Sequence, residues 1–379
     1  MHSHAILAPL LAFTTLAFSQ TDPCIGQVGT STNRKVAIVV DSSGSNEWND
    51  PTNLRVAAGQ SLVANLGDTD QVAIVDFDGS AAVISPLGPA SAASFVGIDA
   101  SGDTCISCGV EEALATLQGA APNTAGIVVL TDGEDSYVSA LIEQIEIATG
   151  LGIRVSFGFL NPSGGVQDPV ILSAIDANGG VYANIDDATA QANFVSLVLA
   201  SGLVNADTTG TSGETFLFQG LKVSGNVSAS TSPSSYKYDA LANEVLQINV
   251  TAITPGVTFD SSLKSGSNEV GKARTDATTG ESTVSYTVGS TPESLTLDVS
   301  TTNTTGGLFS IALGSSVNRT INVCGQVPDD TKPQPNVTIT PTGKVTPTNT
   351  VLPTFTGAAA MVRGVAAAAV FPVLFAMAL

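Results

Sequence analysis

The sequence predicts an α/β fold: a doubly wound, mostly parallel, Rossmann-like sheet over residues 35–204, followed by an all-β sandwich over residues 211–326. Two textures carry that expectation. Up to Val204, apolar runs of strand length alternate with stretches whose apolar residues recur every three or four positions, as buried strands alternating with helices do. After Thr208-Thr209-Gly210 the helical spacing disappears. Ser and Thr become frequent, and short alternating runs are separated by Gly, Pro, Asn or Ser, the pattern of an antiparallel sandwich.

Taken in order, Lys35 to Val40 is a buried strand that ends abruptly in Asp41, Ser43 and Ser45. Asn49-Asp50-Pro51 reads as a helix start, with Asp50 as N-cap and Pro51 in the first turn. Leu54, Ala58, Leu62 and Leu66 give that helix one apolar face. Gln71 to Phe77 and Ala81 to Leu87, joined by Asp78-Gly79-Ser80, read as a hairpin, so one edge strand is antiparallel. Thr104 lies in a loop just before a helix carrying Val110, Ala113, Leu114 and Leu117. Gly126 to Leu130 is a fourth strand, ending in Thr131-Asp132-Gly133, and a helix follows through Leu141, Ile145 and Ala148. Strands at Ile153 to Phe159 and Val181 to Ile185 bracket a helix around Leu172 and Ile175. A last helix carries Phe194, Leu197 and Val198. In the second segment, strands are expected at 216–218, 245–250, 283–288, 295–299, 308–313 and 320–323.

Composition excludes several functions. The net charge is −20, with 13 Lys and Arg against 33 Asp and Glu. Such a chain lacks the cations that nucleic-acid binding and anionic membrane surfaces require. Residues 1–19 read as a signal peptide, with an apolar run at Ala5 to Ala17 and a small-x-small pattern before Gln20. At the other end, residues 357–379 fit a glycosylphosphatidylinositol-anchor signal: small residues from Gly357, a short spacer, and an apolar tail from Val365. Gly357 is the expected attachment residue, with Asn349 as the alternative. Residues 328–356, rich in Pro and Thr, read as an extended stalk. His2 and His4 are the two histidines of the chain, and both leave with the signal. Catalysis that depends on histidine, and zinc sites built on it, are thereby excluded from the mature chain.

Cys24, Cys105, Cys108 and Cys324 in a secreted chain read as two disulfides, with three connectivities open. The expected pairs are Cys105–Cys108, which is local, and Cys24–Cys324, which ties the start of the fold to its end. Asn226, Asn249, Asn303, Asn318 and Asn336 open N-glycosylation sequons, all outside the α/β segment.

The candidate site lies where the strands end. Ligands bind at the carboxyl ends of parallel strands. A carboxylate with hydroxyls, lacking nitrogen or sulfur donors, suits magnesium, calcium or manganese. Asp41-x-Ser43-x-Ser45 after the first strand, Thr104 before a mid-chain helix, and Thr131-Asp132-Gly133 after the fourth strand place three such loops at one edge. In that order, and with their flanking runs, they resemble the von Willebrand factor A-type domain and its metal-ion-dependent adhesion site, over residues 35–204. The resemblance implies that Ser43 and Ser45 coordinate Mg2+ directly. By the same resemblance Thr104 does so in some conformations, and Asp41 and Asp132 act directly or through water, leaving one position open for an Asp or Glu of a partner. The pairing with a sandwich is similar, in architecture only, to calcium-activated chloride channel regulators, but their His-Glu-x-x-His signature is absent. Signal, stalk and anchor together resemble fungal cell-surface and wall proteins.

Trp48, the lone tryptophan, is either a partner-contacting anchor or, as is commoner, a ring packed on the domain. Glu134 and Asp135 read as a solvated turn rather than a rim of the site. The expectation is an extracellular, lipid-anchored binding protein, not an enzyme, meeting a protein partner through a cation and the membrane only through its anchor. A structural wall glycoprotein with a purely stabilising metal is the alternative. Glycoside hydrolysis would need a second acidic pair, and none stands out.

Overall fold

The computed structural model describes residues 25–27, 31–135, 137–160, 168–208, 215–228, 233–319, 321 and 323–324. They fall within the first of two compact units, residues 1–337. The expected signal peptide, stalk, anchor signal and Asn336 lie outside the described residues.

The first segment contains β1 (Ile25–Gln27), β2 (Lys35–Asp41), α1 (Asn46–Asn49), α2 (Leu54–Ala64), β3 (Gln71–Phe77), β4 (Ala81–Pro89), α3 (Ile106–Thr116), β5 (Ala125–Thr131), α4 (Val138–Gly150), β6 (Arg154–Phe159), α5 (Pro169–Asn178), β7 (Tyr182–Asn184) and α6 (Ala188–Ser201). The second contains β8 (Thr215–Phe216), β9 (Lys222–Val227), β10 (Ser234–Ala240), β11 (Val245–Ala252), β12 (Phe259–Ser265), β13 (Asn268–Arg274), β14 (Glu281–Thr287), β15 (Glu293–Thr301), β16 (Gly307–Ser315) and β17 (Val323–Cys324).

Strands β3, β2, β5, β6 and β7 are parallel neighbours in that order, and β4 pairs antiparallel with β3 as the hairpin reading expects. Alternation along β2 feeds two cores. Val36, Ile38 and Val40 face the layer of α2 and α6, whereas Ala37 and Val39 face the layer of α3, α4 and α5. A central strand covered on both faces must be apolar at every position, hence its unbroken hydrophobic run.

The helix after the metal-loop candidate starts differently from the sequence expectation. Pro51 precedes the helix, and the N-cap position of α2 is Asn53, in a left-handed conformation that Asn tolerates. Asp50 still serves the helix end: Oδ1 accepts from the Leu54 N–H at 2.6 Å and Oδ2 from the Arg55 N–H at 3.1 Å. Leu66 lies past the end of α2 yet stays buried.

The second segment forms two facing sheets. One is β13-β12-β15-β10-β8; the other, β14-β11-β16-β9, continues into the parallel sheet. The join is a short antiparallel pairing of β7 with β9, Ala183 opposite Val223 and Asn184 opposite Lys222, giving a ten-stranded sheet. Tyr236 and Phe259 from one sheet meet Phe309 from the other, with ring centroids 6.1 and 5.1 Å apart. That core is continuous with the one beneath α2 and α6. Sequence reading missed β9, β10, β12 and β13. Their inward positions include Gly225 in β9 and Ser261 in β12, which break the apolar alternation.

Cys105 and Cys108 are bridged. Cys324 is also disulfide-bonded; Cys24 lies outside the described residues. The adjacent residues Ile25 and Val323 pair across β1 and β17, so the two ends of the fold meet. Among the described residues no helix is long and apolar enough to cross a membrane.

Candidate metal centre

The three predicted loops converge at the carboxyl ends of β2 and β5. The Gly44 N–H donates to Gly102 O at 3.1 Å and the Ser101 N–H to Ser42 O at 2.6 Å, joining the first loop to the segment before Thr104. Asp132 reaches the first loop directly: Ser45 Oγ donates to its Oδ1 at 2.9 Å, and Ser43 Oγ lies 3.5 Å from the same atom. The two serine oxygens are 3.1 Å apart. Three oxygens from chain positions nearly ninety residues apart therefore form one small triangle.

Asp41 sits behind that triangle, fully buried. Its Oδ1 accepts from the Ser43 N–H at 2.7 Å and its Oδ2 from Thr131 Oγ1 at 2.5 Å. Burial pushes its carboxyl above the usual carboxylate range. Hydrogen bonds from Ser43 and Thr131 oppose the rise, and the nearby Asp132 charge adds to it. The bond from the Ser43 N–H makes Asp41 a holder of the first loop, and each of its oxygens keeps a further lone pair. Thr104 stands over Gly133: a Cβ at that glycine would come 3.2 Å from Thr104 Oγ1. Hydrogen bonds thus join Asp41, Ser43, Ser45 and Asp132 directly, and Thr104 stands beside them over Gly133.

Several residues that the sequence reading left unassigned hold this arrangement. Arg55, buried on α2, donates through Nε to Asp41 O at 2.6 Å, through Nη1 to Asp50 Oδ2 at 2.8 Å and through Nη2 to Asp99 O at 2.8 Å. Asn49 Nδ2 donates to Asp132 Oδ2 at 3.1 Å. Asn46 Nδ2 donates to Ser43 O and Ser43 Oγ, each at 3.2 Å, while its buried Oδ1 has no partner. Thr131 was visible in the Thr-Asp-Gly run; a buried arginine serving three loops has no local signature.

Two expectations change here. Trp48 is 67% exposed, so it is not packed on the domain. Asp135 is buried, not a solvated turn: it accepts from the Ser107 N–H at 2.5 Å and the Tyr137 N–H at 2.6 Å, tying the start of α3 to the approach of α4. Glu134 is exposed as expected.

The donor set fits a small hard cation. Adjacent corners of an octahedron with magnesium–oxygen bonds lie about 2.9–3.0 Å apart. The Ser43–Ser45 and Ser45–Asp132 spacings are close to this, and the third edge is longer. The orphaned Asn46 Oδ1 is an acceptor that water coordinated to a cation could satisfy. Among the described residues no group of three or more His, Cys, Asp or Glu could hold a metal, so any ion here depends on hydroxyl ligands. A cleft of about 530 Å3, lined by Gln60, Leu66, Pro89 and Phe95 among others, lies by the start of β3, at the opposite edge of the sheet.

The fold and the site define an α/β domain with an oxygen-lined centre at its carboxyl edge. Residues 36–134 match the family model for the von Willebrand factor type A domain. No match was found among curated proteins. Among solved structures, the chain is similar to a von Willebrand factor type A protein from Catenulispora acidiphila at 17% identity, covering 78% of this chain and 68% of that one, with a TM-score of 0.37. It is similar to the PilB minor pilin of Streptococcus sanguinis at 18% identity, covering 46% and 61%, with a TM-score of 0.36. Proximal thread matrix protein 1 from the mussel byssus, with a zinc-occupied metal-ion-dependent adhesion motif, is similar at 20% identity over 40% and 41%, with a TM-score of 0.32.

Proposed function

We propose that this is a cell-surface binding protein that holds a divalent cation, Mg2+ by preference, through Ser43, Ser45, Asp132 and Thr104, with Asp41 oriented behind them, and that it binds an Asp or Glu of a protein partner there. The observation that carries the reading is the triangle of Ser43 Oγ, Ser45 Oγ and Asp132 Oδ1 beside the orphaned Asn46 Oδ1. When bound, the ion supplies an exchangeable coordination position that a carboxylate can fill. Two neutral hydroxyls leave its charge under-compensated, which favours an anionic sixth ligand. The role is binding rather than catalysis, because Asp132 is taken up as a ligand, Asp41 is buried behind the loop, and beyond His4 the chain has no histidine to serve as a base.

The surface location rests on the signal and anchor patterns at the chain ends. N-glycans are proposed at the sequons, of which Asn249 and Asn318 are exposed. Titration calorimetry of the purified protein with MgCl2 tests the first step: wild type is expected to give saturable heat that Asp132→Asn abolishes. Absence of metal-dependent heat in wild type, or equal heat in the variant, sinks the proposal. If EDTA lowers the melting temperature but releases no carboxylate ligand, the metal is structural only.

A further inference from the structure

The surface around the centre has an unusual chemistry. Its two most exposed aromatic side chains belong to the loops that build the site. Trp48, three residues beyond Ser45, is 67% exposed, and Tyr137, two residues beyond Asp135, is 64% exposed. Both are held through their backbone N–H groups. The Trp48 N–H donates to Ser45 O at 3.2 Å, and Asn49 beside it holds Asp132. The Tyr137 N–H is fixed by buried Asp135, which also holds the start of α3. Exposed Trp and Tyr are what interfaces use as anchors, because a large ring on two side-chain torsions loses little freedom on contact.

The charge around them has one sign. Glu47, Asp99, Asp103 and Glu134, on the same loops, are all exposed. From residue 36 to residue 153 the sole Lys or Arg is Arg55, which is buried and paired with Asp50 at 2.8 Å. This face therefore presents no cation from its own side chains. An isolated carboxylate approaching the centre meets four like charges carried on the loops that build it. Lys or Arg beside that carboxylate reverses the balance, and each can also stack on Trp48 or Tyr137.

We infer that the partner segment is a single Asp or Glu bracketed by basic residues, whose cationic side chains lie on Trp48 and Tyr137 against the acidic rim. This rests on the metal-site reading for the carboxylate itself, but the preference for basic flanks is a separate property of the surface.

The test uses the purified protein and acetylated heptapeptides with a central aspartate between pairs of arginines, of serines or of glutamates, plus an arginine-flanked peptide with a central asparagine. Trp48 is the one tryptophan in the chain, so its emission reports contact directly. With MgCl2 at low salt, the arginine-flanked aspartate peptide is expected to bind at least tenfold more tightly than the serine-flanked one and to shift Trp48 emission. The glutamate-flanked peptide should bind weakest. In 0.5 M NaCl the advantage should shrink, and Trp48→Ala or Tyr137→Ala, both at exposed positions, should each reduce it several-fold.

Equal affinity for arginine and serine flanks overturns the inference and leaves the metal reading standing. If the arginine-flanked asparagine peptide binds as tightly, with EDTA present, the metal reading fails while the acidic, aromatic surface stands. If neutral oligosaccharides shift Trp48 emission and the arginine peptides do not, the surface recognises glycan and the inference is wrong.

Discussion

Asn193, fully buried on α6, donates through Nδ2 to the carbonyl of Gln219 at 2.8 Å, and its Oδ1 accepts from the Ile321 N–H at 3.0 Å. One side chain thus ties the last helix of the α/β segment to two separate stretches of the strand-rich segment. Truncation leaves a part-buried carbonyl and a buried N–H without partners, at about 2–4 kcal/mol together. Asn193→Ala should lower the urea midpoint accordingly. Because the core under α6 runs into the sandwich, hydrogen exchange should show both segments losing protection together. Loss confined to residues 215–324 would mean that the segments unfold independently.

Gly133 is a spacer for the metal centre. A Cβ there would lie 3.0 Å from Thr104 Cγ2 and 3.2 Å from its Oγ1. Thr104 must then shift by a few tenths of an ångström. Gly133→Ala should weaken Mg2+ binding by about tenfold, as displacing groups behind a metal shell does. Its melting temperature should stay near that of wild type. Calorimetric titration checks the affinity, and unchanged binding would remove Thr104 from the ligand set.

The Cys105–Cys108 bridge closes a four-residue loop at the start of α3. The chain-entropy relation gives about 2 kcal/mol for so short a loop. The Cys105→Ser, Cys108→Ser double variant should therefore melt measurably lower in scanning calorimetry. The Cys105 N–H also donates to Asp78 O at 2.7 Å, so the strand-end contact survives in the variant. An unchanged melting temperature would show that helix α3 and this contact fix the loop without the bridge.

Asp76, at the end of β3, is half-buried with an unpartnered Oδ1. Burial raises its carboxyl above the usual carboxylate range, Asp99 and Asp78 add to the rise, and Ser42 and Arg55 oppose it. A raised folded-state value means that the folded protein binds the proton more tightly. The resulting stabilisation is complete below the unfolded carboxylate value and is lost as pH rises through the folded one. At neutral pH the ionised group therefore weakens the fold. Asp76→Asn should raise the melting temperature at pH 7 and change it less at pH 4. A lower melting temperature at pH 7 would contradict this account.

Much of the α/β portion is legible from residues alone. β2, β3, β5 and β6 are covered on both faces, so nearly every position must be apolar, and such runs are visible without a partner. The order of Asp41, Ser43, Ser45, Thr104 and Asp132 is legible for a related reason. Each stands at or near the end of a regular element, where topology delivers it to one edge. The sandwich was legible as a class, but four of its strands were not. Gly225 in β9 accepts no Cβ because Tyr236 Oη would lie 1.9 Å from it, and that neighbour comes from another strand.

Strand periodicity, the predicted cation-site order, the local disulfide and the acidic balance all belong to the sequence by itself, since each depends on neighbours along the chain or on composition. Tertiary structure alone decided that β9 continues the parallel sheet, that Arg55 holds three loops, that Asp135 is buried and that Trp48 is exposed. Those outcomes depend on which surfaces meet across long separations. A side chain's burial is set by what folds against it, and local sequence does not carry that information.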